Sequence, residues 1–288
     1  LNETPWPLDR ESMASLLGFE GLVENAYDAA QISSTDTAVE ASLKLVEPML
    51  HITQFIEDIM TQYAQPRPWL LLSEGGDNTY VSSAMPQKRN PGLLNNTRAE
   101  ASDAVAAAEG VFLRAHNVVS GMMDGKSAGK NTGMADTASS ALTKLRRVIA
   151  GIVVNRDRAL EELNLDWTAS QEIADQLMLK HGLPFRIGHH MASAMVSWAR
   201  ANNVRPSDFP YDEMKALYRK EIESEFPDAS PDLPMTEAEF HSCLDPKSIL
   251  EKRQTAGSAN PKETSAMLSE QEARIAWYRE NTAMARGR

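Results

Sequence analysis

Residues 79–91, TYVSSAMPQKRNP, concentrate groups capable of acid–base chemistry in a stretch with neither helical nor strand periodicity. They supply two hydroxyls, two cations and an amide (Ser82, Ser83, Lys88, Arg89 and Asn90). The stretch precedes a predicted helix, whose N-terminal N–H groups and dipole favour an anion. A serine near a lysine and such N–H groups can be stabilised as an alkoxide and act as a base or nucleophile. The alternative is a solvated loop whose serines cap the helix, and the spacing by itself favours that alternative.

The composition is that of an acidic globular chain. A net charge of −11 argues against nucleic acid or an anionic membrane surface as a partner, so an anionic ligand must meet a local positive patch. The longest apolar run, residues 148–154, is far shorter than the ~20 residues that cross a bilayer. The single cysteine, Cys243, fits a reducing compartment and predicts a cytoplasmic location. Its spacing from His241 is poor geometry for a catalytic pair and favours ordinary packing.

Helical periodicity dominates and predicts an all-α fold with no strand of period two. Three long helices are predicted at 37–63, 92–115 and 134–154, followed by shorter ones at 170–180, 184–203, 211–222, from 236, and at 261–284. The sequence therefore divides into a central long-helix bundle domain carrying the loop, residues 1–163, and a smaller C-terminal helical domain, residues 164–288. The alanine-rich second helix permits close helix packing. A bundle this elongated predicts oligomerisation.

The first long helix carries three local predictions. Thr37 and Glu40 form a capping box at its start, and Pro48 should kink or break it. One buried stripe is predicted along it, followed by a second stripe on the third helix (Val39, Leu43, Val46, Leu50, Phe55, Ile59 and Met60; then Leu142, Leu145, Val148, Ile149 and Ile152).

The string SSAMPQKRNP, residues 82–91, resembles the signature GSSxMPxKxNP of the fumarase/aspartase superfamily. Further stretches resemble the argininosuccinate lyase branch: WPLDRE at 6–11, LLGFEG at 16–21, GLPFRIGHH at 182–190, LDP at 244–246 and GSANP at 257–261. The resemblance covers nearly the whole chain and corresponds to the central and C-terminal part of that family. The family's N-terminal domain, with the segment expected to carry the general acid, is therefore expected to be missing.

The resemblance implies a homotetramer built around a long-helix bundle, with each active site drawn from three subunits. It implies β-elimination that releases fumarate from a small anionic substrate, with no cofactor and no metal ion. Ser82 would abstract the proton next to a carboxylate, and Lys88 and Asn90 would hold the resulting aci-carboxylate. Ser83, Met85 and Gln87 of the same motif would contact the substrate.

Three departures from the family pattern qualify this reading. Val81 stands where a glycine is usual, and Asn95 stands where a glutamate normally orients a histidine from an earlier segment. The second irregular stretch, GMMDGKSAGKNTG at 121–133, lacks the residues with which argininosuccinate lyases grip a guanidinium. Lys130, and less surely Lys126, would suit a carboxylate instead.

These departures leave two substrates open. Besides argininosuccinate, an aminopolycarboxylate such as ethylenediamine disuccinate fits a C–N lyase of this branch. The alternative of another class is a non-catalytic, crystallin-like structural protein that uses the same bundle. The presence of Ser82, Lys88 and Asn90 together argues against it, because a structural role needs none of them.

Overall fold

A computed structural model of the chain describes residues 5–122 and 126–286, and it is predominantly helical, which confirms the all-α class. Its contacts form two compact units, one ending at Asn155 and one beginning at Arg156. The domain division predicted between residues 163 and 164 stays a prediction. Within the described ranges, no helix combines the length and the apolar character needed to cross a membrane.

The first unit, over residues 5–122 and 126–155, contains four α-helices and four short strands. The helices are α1 (Arg10–Leu16), α2 (Ser33–Tyr63, entered through a π-helical turn at Asp28–Ile32), α3 (Gly92–Ala115) and α4 (Ala128–Gly151). The strands are β1 (Leu70–Leu72), β2 (Tyr80–Val81), β3 (Arg89–Asn90) and β4 (Ile152–Val154).

The three long helices run in alternating directions. β1 and β4 pair antiparallel, with Leu71 opposite Val153, so the segments that follow α2 and α4 lie together. At the opposite end, Lys126 Nζ donates to Ala30 O over 2.8 Å, which places the start of α4 beside the start of α2. α2 and α4 are therefore parallel and α3 antiparallel to both. We call the end where α3 begins the hairpin end, and the end where α3 finishes the far end.

A narrow seam of small and aliphatic side chains forms the core of this bundle. The buried members include Met49, Ile52, Ile56 and Ile59 of α2, Leu93, Leu94, Ala101 and Ala104 of α3, and Ala138, Ala141 and Val148 of α4. Alanine at the α3–α4 contact lets the two backbones approach closely, as the sequence predicted.

Several local predictions for the long helices were wrong. α2 begins at Ser33, so Thr37 is no cap, and its hydroxyl donates to Ser33 O over 3.1 Å. The helix continues through Pro48, so the break allowed there did not form, and a kink at Pro48 stays a prediction. α4 begins six residues earlier than predicted, at Ala128 instead of 134. The added residues 128–133, AGKNTG, show no apolar periodicity that could have predicted a helix. Residues 152–154, predicted as helix, form β4, and the expectation of no strands was wrong for these short pairs.

The described part of the second unit, residues 156–286, contains seven α-helices. They are α5 (Arg156–Leu165), α6 (Gln171–His181), α7 (Phe185–Asn202), α8 (Tyr211–Glu225), α9 (Glu237–Leu244), α10 (Pro246–Lys252) and α11 (Pro261–Arg286). Phe209 belongs to its core, and the rings of Trp167 and Phe240 meet it edge-on with centroid separations of 5.9 and 6.0 Å. The capping box predicted at Thr236 and Glu239 is confirmed.

Candidate active site

The signature stretch folds as a β-hairpin that leads directly into α3. Tyr80 pairs with Asn90, and Val81 pairs with Arg89. Beyond this pair, Ser82 N–H donates to Lys88 O over 3.4 Å, and Lys88 N–H donates to Met85 O over 3.0 Å. These backbone hydrogen bonds close the loop, and they fix the backbone positions from which its side chains project.

Two backbone N–H groups of the hairpin point at the Ser82 side-chain oxygen and stabilise a negative charge on it. Ser82 Oγ accepts hydrogen bonds from the backbone N–H groups of Ala84, at 3.4 Å, and Met85, at 3.3 Å. Two amide dipoles aimed at one oxygen favour its ionised form, as in an oxyanion hole. The half-buried side chain remains partly open to an incoming molecule. This geometry supports the alkoxide chemistry expected of Ser82.

Lys88 and Asn90 flank the hairpin on its return strand. The Lys88 side chain is exposed, and within the described part of the chain no carboxylate or carbonyl is paired with its ammonium. Asn90 Nδ2 lies 3.5 Å from Tyr80 O, a long contact that leaves the amide able to donate elsewhere. Three other motif side chains are exposed around the tip (Ser83, Met85 and Gln87). All six predicted hairpin residues therefore lie together.

The two adjacent cations of the hairpin, Lys88 and Arg89, have different surroundings. Arg89 Nε is 2.9 Å from Glu74 Oε2, and its Nη1 donates to Pro86 O over 2.7 Å. Arg89 is thus bound to other groups of the protein, whereas the Lys88 side chain is exposed to solvent.

The two departures inside this region cause no visible strain. Val81 lies in β2 with an exposed side chain, and the only non-glycine residues of positive φ among those described are Asn117 and Asn203. A glycine is therefore not required at position 81 in this conformation. Asn95 lies one turn into α3, where it lines an open cleft of about 460 Å³ at the hairpin end.

That cleft contains two cations that the sequence interpretation missed, Lys144 and Arg147 of α4. Lys144 is paired with Glu100, and Arg147 Nη2 is 3.1 Å from Asp77 Oδ2. Their charges are therefore compensated. Their spacing of three on one helix was the available signal, but nothing in the sequence linked α4 to the hairpin.

The predicted carboxylate-binding lysines lie at the far end. Lys126 Nζ is already engaged, by Ala30 O and by Gln31 Oε1 at 3.3 Å, whereas the Lys130 side chain is exposed. The sequence interpretation also missed Arg114, whose Nη2 donates to Lys130 O over 3.3 Å and which borders a cavity of about 150 Å³. Residues 123–125 of this loop lie outside the described residues.

The two groups of candidate residues are separated by the whole of α3. That helix has 24 residues. At about 1.5 Å per residue it is roughly 36 Å long. Because the hairpin precedes α3 and Lys130 contacts its last turn through Arg114, one chain does not bring the two groups together.

Burial keeps two other titratable side chains, Cys243 and Tyr63, in their neutral forms. Burial raises the pKa of the Cys243 thiol to about 11, so it is a protonated core side chain and not a nucleophile. Burial also raises the pKa of Tyr63, with the Glu74 carboxylate adding to the effect, and the neutral hydroxyl accepts from Leu72 N–H over 2.8 Å. Across residues 5–122 and 126–286, no His, Cys, Asp and Glu side chains cluster as metal ligands.

Comparisons with known proteins find relatives in the argininosuccinate lyase branch. The family model for the argininosuccinate lyase C-terminal region matches residues 167–251. The chain is 28% identical over 278 residues to argininosuccinate lyase of Bacillus subtilis, covering 95% of this chain and 55% of the relative. It is 27% identical over 274 residues to that of Solibacter usitatus, covering 92% and 54%. The chain thus spans about half the length of the curated relatives it matches.

Solved structures show the same fold. An EDDS lyase variant with bound fumarate superposes with a TM-score of 0.77 at 20% identity, over 96% of this chain and 53% of that chain. EDDS lyase in complex with formate gives the same values. The family model, the relatives and the shared fold together confirm the resemblance of this chain to the argininosuccinate lyase branch of the fumarase/aspartase superfamily.

Proposed function

We propose that this protein is a carbon–nitrogen lyase that cleaves an N-substituted aspartate by β-elimination into fumarate and an amine. The observation that carries the proposal is Ser82 Oγ beneath two backbone N–H groups, on the same short hairpin as the outward-facing ammonium of Lys88. Curated relatives with the name argininosuccinate lyase support the reaction class.

The proposed reaction proceeds in two steps. Ionised Ser82 Oγ removes a proton from the carbon next to a substrate carboxylate, and the electron pair moves into that carboxylate to form a dianionic aci-carboxylate. Lys88 and Asn90 Nδ2 stabilise this charge as it develops. The pair then returns to form the carbon–carbon double bond, the C–N bond breaks, and the departing nitrogen takes a proton to leave as the amine.

The far end favours a substrate whose amine portion carries a carboxylate. Lys130 lies in the first turn of α4, Arg114 contacts its carbonyl, and the N-cap residue of the helix, Ser127, makes no side-chain capping hydrogen bond among the described residues. A helix N-terminus with adjacent cations binds anions and repels a guanidinium. An aminopolycarboxylate such as ethylenediamine disuccinate is therefore the favoured substrate, ahead of argininosuccinate.

A homotetramer with shared active sites is part of the proposal. The roughly 36 Å length of α3 separates the hairpin from Lys130, so a site that uses both needs a second subunit. Apolar side chains also remain exposed along the long helices, on faces suited to another copy of the bundle (Leu43, Leu50 and Phe55 of α2; Phe112 and Leu113 of α3; Leu142 and Ile149 of α4). A helix with apolar residues on several faces is typical of a buried position. The single buried cysteine fits a cytoplasmic location.

A crystallin-like structural role is the less favoured alternative. A structural role requires neither an exposed lysine in this hairpin nor a serine oxygen that accepts two amide hydrogen bonds. The hairpin geometry therefore favours an enzyme.

The test is fumarate release, followed by ultraviolet absorbance, with argininosuccinate and ethylenediamine disuccinate supplied in parallel to the purified protein. We expect release from ethylenediamine disuccinate, with a higher kcat/KM than for argininosuccinate. A preference for argininosuccinate would contradict the assignment of the far end to a carboxylate. Release from neither substrate, by full-length protein that includes any N-terminal domain and is shown to be folded and tetrameric, would contradict the proposed activity.

A further inference from the structure

Arg89 holds the tip of the hairpin through two bonds made by one guanidinium. Nε lies 2.9 Å from Glu74 Oε2, and Nη1 donates to Pro86 O over 2.7 Å. Glu74 lies before the hairpin and Pro86 lies at its tip, so Arg89 connects the tip to the segment that precedes β2. Because the Arg89 side chain is about a third exposed and Glu74 more so, the geometry of this clamp matters more than its electrostatic energy.

The clamped carbonyl belongs to the turn that organises both chemical groups. Pro86 follows Met85, whose N–H donates to Ser82 Oγ over 3.3 Å and whose carbonyl accepts from Lys88 N–H over 3.0 Å. A displacement of Pro86 therefore moves the amide beneath the serine oxygen. It also moves the backbone from which the Lys88 side chain projects.

The other end of the clamp is anchored in the bundle. Glu74 is followed by a turn in which Gly75 and Gly76 adopt φ of 95° and 56°, a conformation that favours glycine. Asp77 fixes the turn to α4, because its Oδ2 lies 3.1 Å from Arg147 Nη2. Asn78 fixes it to α3, because its carbonyl accepts a hydrogen bond from Leu93 N–H over 3.2 Å. Arg89 thus ties the loop tip to a support held by two long helices.

We infer that Arg89 is a positioning residue that holds the hairpin in the conformation required for Ser82 and Lys88 to act. The inference rests on the proposed function for its catalytic consequence. Arg89 acts through the loop, since both of its observed partners belong to the protein. A lysine cannot reproduce the role fully, because a single ammonium lacks the planar fork that meets two acceptors in fixed directions.

The experiment compares Arg89→Ala and Glu74→Gln with wild type, using Arg98→Ala as the matched control. Arg98 of α3 makes a similar exposed ion pair with Glu57 of α2, with Nη1 3.0 Å from Glu57 Oε1, and its polar partner among the described residues is this carboxylate and not the hairpin. Two readouts are measured: kcat and KM for the best substrate, and amide hydrogen exchange of a peptide spanning residues 80–93.

Both clamp variants should lower kcat by about 10- to 100-fold, since loss of alignment acts on the chemical step. KM should change by less than about threefold. Amides of the hairpin should exchange faster in both variants, whereas Arg98→Ala should change neither quantity. Arg89→Lys should recover part of kcat. Because Glu74→Gln leaves the loop sequence intact, it separates loss of the clamp from loss of the Arg89 side chain itself.

The two proposals fail in different ways. Unchanged hairpin exchange in both clamp variants would overturn the clamp, whatever the activity of the enzyme. Accelerated exchange with unchanged kcat would overturn the catalytic importance of positioning. If wild type released no fumarate while the clamp variants still exchanged faster, the proposed lyase activity would fail, and the structural part of the inference would stand.

Discussion

Two impaired variants should restore activity to each other if the hairpin and the far end of different subunits form one site. The perturbations are Ser82→Ala, which removes the proposed base, and Lys130→Ala, which removes the proposed carboxylate partner. Loss of a general base should lower kcat by about 10²–10⁴. Loss of a charge-assisted contact of about 1.5–3 kcal/mol should raise KM by about 10- to 100-fold.

The expected recovery follows from geometry. α3 has 24 residues and a length of roughly 36 Å, many times the reach of a lysine side chain. A site that uses both residues, as proposed, must take its Ser82 and its Lys130 from different chains. In randomly mixed tetramers a site receives both intact residues with a probability of about one half times one half, so about one quarter of the wild-type activity should return.

The assay uses co-expression of the two variants with different affinity tags and purification through both tags in succession. Fumarate release is then measured at a substrate concentration below the KM of Lys130→Ala. Each variant alone, purified in the same way, provides the baseline. A mixed tetramer no more active than the mean of its two parents would refute the reasoning, because it would show that one chain supplies both residues.

Three further predictions concern single positions. Lys88→Ala should lower kcat by about 10²–10³ through loss of aci-carboxylate stabilisation, measured by steady-state fumarate release. Gly188→Ala should lower the thermal midpoint at a cost of about 1–3 kcal/mol, because a Cβ there would lie 2.5 Å from Ala174 Cα. Cys243, with a pKa raised to about 11, should resist iodoacetamide at pH 8, where only about one thiol in a thousand is ionised, and should react once the protein is unfolded.

Each of these predictions has a control. A Lys88→Ala protein that loses the tetramer along with activity would not support a charge-stabilising role, so its oligomeric state is measured as well. Gly133→Ala serves as the reference for Gly188, since a Cβ at Gly133 would meet nothing within 4 Å and should leave the midpoint unchanged or slightly raised. Rapid alkylation of Cys243 in the folded protein would contradict its position in the core.

The sequence predicted the helices better than it predicted which of their faces are buried. Ile59 and Val148 are buried as expected, but Leu43, Leu50 and Ile149 of the predicted stripes are exposed. α2 buries Met49, Ile52 and Ile56 instead. A helix with apolar residues on several faces gives no single stripe to read, and one face can be assigned to the core only once its partners are known.

Short-range signals succeeded at one of the two predicted capping boxes, since the box at Thr37 and Glu40 falls inside α2. The capping box at Thr236 needs only two residues three positions apart, and it formed. The two-residue strands of the hairpin were missed because so short a pair has no measurable period, and β1 was missed because its partner β4 lies far along the chain.

At the candidate site, the sequence indicated which side chains are candidates for the chemistry but not how the fold holds them. The signature pointed to Ser82, Lys88 and Asn90, and the structure presents them on one hairpin. The clamp from Arg89 to Glu74 depends on a turn that brings residues fifteen apart into contact. No spacing rule predicts that contact, and the same holds for Arg114 beside Lys130.

The most direct test of the account compares wild type with Ser82→Ala for fumarate release, with circular dichroism and the tetramer measured on both proteins. The account predicts turnover by wild type and a loss of at least about 10²-fold in the variant, with fold and assembly unchanged. Equal turnover by the two proteins would contradict the assignment of Ser82 as the base that starts the elimination.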